Sequence, residues 1–151
     1  MEAGDDIGPD GRHAAAEDFV GRFSEFWAAP CRDRLAAVLA PNARLVAPMT
    51  ATTSTFDDGW RSFASLLDLI PDLSATVHRW GATEDGVLIE FTLAGTTAGG
   101  PISWNAVDRF TLGPDGLATE RVSYFDSVPI ALTILRRPRI WPGFARAQLR
   151  R

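Results

Sequence analysis

The large apolar residues of this chain recur at helical spacing up to residue 70 and at alternate positions from 74 to 125, so the pattern splits into a helical part and a sheet part. Over 14–29, Phe19, Val20, Phe23, Phe26 and Trp27 share a face about 100° wide or more, opposite Glu17, Asp18, Arg22 and Glu25, which predicts a first helix. Pro30 breaks it. A short second helix is expected over 33–40, with Leu35, Val38 and Leu39 inward and Pro41-Asn42 as its end. The run 43–49 sets Leu45 and Ala47 against Arg44 and Val46 and reads as a short strand closed by Pro48, followed by a Thr- and Ser-rich loop over 50–55. Asp57 or Asp58 is suited to cap a third helix, because a carboxylate there accepts from the free N–H groups of the first turn. Trp60, Phe63, Leu66, Leu67 and Ile70 follow on one face until Pro71-Asp72 ends the helix.

Beyond that point the runs 74–83, 87–97, 102–112 and 117–125 read as strands. Glu84-Asp85-Gly86, Gly99-Gly100-Pro101 and Gly113-Pro114-Asp115-Gly116 separate them, with the Gly, Asp and Pro chemistry of hairpin turns. Helices first and a meander after them predict an α+β domain, three helices packed on one face of a strongly curved antiparallel sheet. Between the layers a mostly apolar pocket for a small organic molecule is expected. Phe23, Trp27, Trp60, Phe63 and Trp104 are its expected walls, or else core; the sequence does not separate those two fates. A final apolar run, 130–135, predicts a short helix leading into an Arg-rich tail, and Pro138 and Pro142 limit how far it extends. Residues 1–12 lack a periodic pattern and read as a disordered leader, which leaves 13–130 as the domain and 131–151 as the helix and tail.

Composition narrows the function classes. A chain of 151 residues is long enough to bury about 70% of its unfolded surface in one core. No apolar run approaches the roughly 20 residues that span a bilayer, so no membrane partner is expected. The acidic, Gly-rich start has neither a basic nor an apolar targeting segment, and a cytoplasmic location is expected. Cys31 is a lone cysteine, and His13 and His78 are far apart, so no disulfide, metal or cofactor is anticipated. Every basic residue is arginine, which excludes a Schiff-base lysine. The net charge of −4 is uneven, with Arg136, Arg137, Arg139, Arg146, Arg150 and Arg151 in an acid-free end able to touch something anionic. Nucleic acid is not expected, because the rest of the chain is acidic where a nucleic-acid binder presents a basic face.

Strand alternation supplies the candidates for chemistry. Trp104, Ala106, Asp108 and Phe110 share one face of the third meander strand, and apolar flanks penalise an ionised carboxylate, suiting Asp108 to donate or accept a proton near neutral pH. Pairing with an arginine such as Arg121 is the competing reading. Asp126 follows the last strand on the face of Val122 and Tyr124, and is equally placed to cap the segment starting at Ser127. Were both acids to point inward from adjacent strands, their repulsion would make one an acid and the other a base. His78, beside Thr76 and Trp80, is a candidate proton shuttle, and Tyr124 a candidate donor to a developing oxyanion. Glu90 reads as solvent-facing.

Three helices with one short strand, then four hairpin-linked strands, is an order that resembles the cone-shaped fold of nuclear transport factor 2 and its relatives, most nearly the SnoaL-like polyketide cyclase branch. The residues carrying the resemblance are the first-helix aromatics, Asp58-Gly59-Trp60 with Pro71-Asp72, Asp108-Arg109-Phe110-Thr111-Leu112, Asp115-Gly116 and Tyr124-Phe125-Asp126, over roughly 14–130. It implies a homodimer formed through the convex sheet face, and an acid/base role for Asp126. The function it implies is a cofactor-independent cyclase, isomerase or hydrolase acting on a small hydrophobic molecule; the alternative is a non-catalytic ligand-binding or dimerisation module. Ketosteroid isomerase chemistry is disfavoured: the first helix has no tyrosine, Val46-Ala47-Pro48-Met49-Thr50 has no acid, and Ala106 stands where those enzymes place an inward acid. Asp108 and Asp126 with Arg109 or Arg121 loosely resemble the acid–arginine set of limonene-epoxide hydrolases, although alternation sends Arg109 to the face opposite Asp108.

Overall fold

The structure, a computed structural model, describes residues 8–149. Helix α1, Pro9–Ala28, buries Ala16, Phe19, Val20, Phe23, Phe26 and Trp27 along one stripe. It begins inside the stretch expected to be a leader, because Pro9 occupies the first helical turn, where a missing N–H costs nothing; residues 1–7 of that leader lie outside the described residues. Helix α2, Arg32–Ala36, is shorter than its apolar pattern suggested, and strand β1, Leu39–Val46, starts before Pro41 rather than after it. An edge strand tolerates proline, and Pro41-Asn42 falls where the register slips between Leu39 and Arg44.

Helix α3, Phe56–Leu69, is capped by Thr55 and not by either aspartate. The Thr55 hydroxyl accepts from Asp58 N at 3.2 Å and donates to the Asp58 carboxylate at 2.8 Å. Asp57 is thereby free to pair with Arg32, whose hydrogen bond and charge hold the Asp57 carboxyl below the usual carboxylate range.

Strands β2, Ser74–Ala82, β3, Gly86–Thr97, β4, Gly100–Leu112, and β5, Ala118–Tyr124, form the meander. The five-stranded sheet has the order β1-β5-β4-β3-β2, antiparallel throughout except for the parallel pair of β1 with β5. A long β3–β4 ladder, unbroken from Gly86↔Thr111 to Thr97↔Gly100, fixes which side chains face inward: Val87, Ile89, Phe91 and Leu93 opposite Phe110, Asp108, Ala106 and Trp104. On that concave face α1 lays its aromatics. Phe19 meets Phe110 at 4.7 Å between ring centroids, and Phe23 meets Phe91 edge-on at 5.2 Å, arrangements that favour offset rings. Arg22 fastens the same helix down by donating to the carbonyls of Ala37 and Gly116 at 2.5 and 2.9 Å.

The C-terminal part is more ordered than a tail. Helix α4, Ser127–Arg136, is capped by Asp126, whose carboxylate accepts from Val128 N at 3.0 Å. A 3-10 turn, Pro138–Ile140, buries Ile140, and helix α5, Trp141–Leu149, takes Pro142 in its first turn, where proline fits. Arg137 ties this unit to the β3–β4 hairpin by donating to the carbonyls of Gly100 and Pro101.

Two constraints here are measurable. Gly86 sits so close to β4 that a Cβ would lie 1.9 Å from the Phe110 carbonyl oxygen. Gly86→Ala is expected to cost about 2 kcal/mol or more by forcing the strands apart, read as a lowered urea midpoint. Asp72 accepts from Thr96 N at 2.6 Å, and this backbone hydrogen bond holds its carboxyl below the usual range. A carboxyl that ionises more easily folded than unfolded adds stability that is complete above its unfolded value near about 4 and is lost as pH falls through its folded value. Asp72→Asn should therefore flatten the fall in urea midpoint between about pH 5 and pH 2 relative to the parent chain.

Candidate functional site

The concave face of the sheet does not close on α1 along its whole length. Towards one end the space between Trp104 on β4, Phe63 on α3 and the C-terminal helices stays open as a cavity of about 180 Å³. Trp27, Leu66 and Leu93 complete the apolar walls, the loop 47–53 forms a rim, and Ile130, Ile134, Ile140 and Phe144 form a roof.

Among the described residues, the lining holds one charged side chain, Arg121, and no Asp, Glu, His, Tyr or Cys. Its position follows from register. Arg121 pairs with Phe110 and Ser123 with Asp108 across β4–β5, so all four point to the concave face. From there Arg121 reaches diagonally to Asp108, its Nε donating to Oδ2 at 2.5 Å, while Nη2 makes a long 3.4 Å contact with Ser123 Oγ. The guanidinium also lies over the Phe63 ring, 5.4 Å from its centroid. Asp108 is completely buried, and the Arg121 side chain is 14% exposed. Among the described residues, two buried side-chain oxygens lack a hydrogen-bond partner: Oδ1 of Asp108 and Oγ1 of Thr53, the latter on the cavity rim. Such atoms are costly to leave unsatisfied, and they mark where a ligand or an ordered water would gain most. Nη1 of Arg121 has no hydrogen-bond partner among the described residues.

Of the expected walls, Trp27, Phe63 and Trp104 line the cavity. Phe23 is closed into the core against Phe91 and Phe110, and Trp60 packs half-buried against the core without reaching the lining. Asp108 lies on the concave face as expected, but behind Arg121 rather than in the lining. Asp126, Tyr124 and His78 are not brought to it. Asp126 is exposed, with its carboxylate engaged as the α4 cap, and Tyr124 is 54% exposed on the convex face. The alternation that grouped Val122, Tyr124 and Asp126 together holds as far as Tyr124, but that face is the outer one, because the β4–β5 register slips between Thr111 and Leu112 and turns Arg121, Ser123 and Phe125 inward. His78 is exposed on the outer face of β2, its Nε2 2.6 Å from the Thr92 hydroxyl, which in turn donates to Asn105 Oδ1. The sequence offers Arg121 as a partner for Asp108 or as one choice of arginine in an acid–arginine set, not as a cavity wall; the sign of its place in the cavity is Phe125, an apolar residue sharing its alternation. Among the described residues no three His, Cys, Asp or Glu side chains gather as a metal site.

A family model described as the SnoaL-like domain matches residues 20–121. No curated protein sequence matches the chain. Among solved structures, a candidate SnoaL-like polyketide cyclase from Jannaschia sp. CCS1 superposes with a TM-score of 0.73 at 20% identity, covering 87% of this chain and 97% of that one. An epoxide hydrolase of Mycobacterium tuberculosis, like limonene-epoxide hydrolase, gives 0.68 at 18% identity, over 83% and 92% of the two chains. TerC, co-crystallised with polyporic acid, gives 0.70 at 13% identity, over 78% and 96%. At these identities the superpositions establish a shared fold.

The buried pair yields a stability signature. Arg121→Met alone strands the Asp108 carboxylate in the interior and is expected to cost about 3–5 kcal/mol, whereas Asp108→Leu with Arg121→Met removes both charges and should fall within about 1–2 kcal/mol of the parent. Urea unfolding of the two single variants and the double variant measures the difference.

Proposed function

This chain belongs to the SnoaL-like domain family, and from that premise we propose that it binds a small apolar, ring-bearing molecule and fixes one electronegative oxygen of it, carboxylate, phenolate or carbonyl, on Arg121. One observation carries the reading: a single cation, its Nη1 free, in an otherwise uncharged and largely apolar lining. Apolar walls supply affinity by area, and the guanidinium supplies orientation, since a charge-assisted hydrogen bond in a dry site is worth more than one in water. Asp108 has the supporting role. By holding Nε it fixes the guanidinium plane and aims the outer nitrogens at the cavity. That TerC, a protein of the same fold, takes up polyporic acid supports an acidic organic ligand.

A second reading is catalytic, and the unpartnered Oδ1 of Asp108 favours it. A ligand carbonyl on Arg121 would have its enolate stabilised there, and Asp108, which lies behind Arg121 and outside the lining, would take the α-proton through one intervening water and return it, a sequence suited to isomerisation without a cofactor. Asp126, exposed and occupied as a helix cap, has no part in this version. The convex sheet face, where Leu88 and Val107 stand exposed near Tyr124, is where we place a second copy of the chain, as the resemblance implies.

The test uses naphthoate against its neutral isostere naphthamide. The parent chain should bind the anion at least about tenfold more tightly by calorimetry, the worth of one hydrogen bond to a charged group in a desolvated site. Asp108→Leu with Arg121→Met should bind both alike. An undiminished preference for the anion in that double variant would overturn the assignment. For the catalytic reading, Asp108→Asn should abolish turnover of carbonyl substrates that Asp126→Asn leaves intact.

A further inference from the structure

Helix α4 is apolar on two sides. Ile130 and Ile134 face the cavity, while Val128, Leu132 and Leu135, at the spacing of one helical stripe, stand 62%, 42% and 65% exposed. Beyond them Trp141 is 49% exposed and Leu149 84%. The Trp141 Nε1–H donates to the Ile134 carbonyl, so the ring's polar group is satisfied within the protein and what it offers outward is apolar. Large residues scattered singly on a surface need no account, but a stripe continued onto the next helix marks a surface that meets something.

Charge selects the occupant. From Ser127 to Leu149 there is no Asp or Glu, in a chain whose net charge is −4. Arg137 is used in the tether to the β3–β4 hairpin, and Arg146 shares a crevice between α3 and α5 with Asp68. Arg136 and Arg139 are exposed and make no ion pair or hydrogen bond among the described residues. A second copy docked through this face about a two-fold axis would bring two arginine-bearing faces together with no Asp or Glu from 127–149 on either side to pair them. Exposed apolar side chains, a tryptophan and unpaired arginines carried by one acid-free C-terminal unit instead match an interface of anionic headgroups over hydrocarbon.

We propose that the outer face of α4 and α5 docks on an anionic lipid surface. The expectation of no membrane partner rested on the absence of a spanning segment. No helix among the described residues is long and apolar enough to cross a bilayer, and lying on a bilayer surface needs no such helix. Because the same helices roof the cavity, an apolar ligand would pass between bilayer and cavity beneath them.

The full chain is sedimented with vesicles of phosphatidylcholine alone and of phosphatidylcholine with about a third phosphatidylglycerol, with no cavity ligand present. Binding to the anionic vesicles only, weakened by added salt, is expected. Arg136→Gln with Arg139→Gln should lower the partition coefficient about fivefold per arginine. Leu132→Asn with Leu135→Asn should reduce it at least as far while the circular dichroism stays unchanged, since both side chains project into solvent. Three results overturn the proposal: no preference for anionic over neutral vesicles, full binding by the leucine variant, or a leucine variant whose only change is a fall in native mass from dimer to monomer. None of these bears on ligand binding by Arg121, which the naphthoate comparison reads separately.

Discussion

The ion pair between Asp108 and Arg121 is the constraint around which the rest of the site is arranged. Asp108 is fully buried on the concave face between Ile89 and Ser123, where an unpaired carboxylate would be strongly unfavourable, and Arg121 is the side chain that neutralises it. Hydrogen bonds from Nε to Asp108 and, at 3.4 Å, from Nη2 to Ser123 leave Nη1 of the guanidinium without a partner among the described residues, beside Phe63 in the cavity wall. The pair therefore does two things with one geometry. It makes an inward charge tolerable, and it presents a fixed cation to whatever fills the space. A buried pair is weak evidence for stability by itself, since two well-packed apolar residues commonly do as well.

The fold supplies the setting. A β3–β4 ladder without a break carries the aromatic face that α1 covers, and the helices leave one end of that face open under Trp104 and Phe63. The roof over the opening comes from α4, the 3-10 turn and α5, tied down by Arg137 on the hairpin carbonyls. The chain's last described helices thus roof the cavity. Their inner side lines it, and their outer side carries exposed apolar residues and arginines.

Much of this was legible in the sequence. Period and turn chemistry gave the helices and the meander, because a buried stripe and a half-buried strand leave different repeats. The inward face of β4, and with it Asp108, followed from alternation alone. Reading failed where local signals were overridden by tertiary position. Pro41 looked like a boundary, yet an edge strand absorbs it at a register slip. Asp57 and Asp58 looked like caps, yet they lie inside the helix as its second and third residues, and Thr55, just before its first, takes the role. On β5, the slip beside Leu112 decides which set of alternating residues faces inward, and nothing local announces it; Arg121 therefore reaches the cavity lining, and Tyr124 and Asp126 do not. The C-terminal segment reads as one short helix and a tail because its prolines suggest interruption, whereas they sit in first turns and let a 3-10 turn and a further helix, α5, follow α4 over the cavity.

The central claim is that Arg121 is the polar anchor of an apolar ligand. A crystal structure of the parent chain grown with naphthoate tests it most directly. The account predicts the rings between Trp104 and Phe63, with a carboxylate oxygen within hydrogen-bond distance of Arg121 Nη1 and the Asp108–Nε bond retained. Naphthoate seated in the cavity with its carboxylate turned away from Arg121, or bound only elsewhere on the protein, would contradict it.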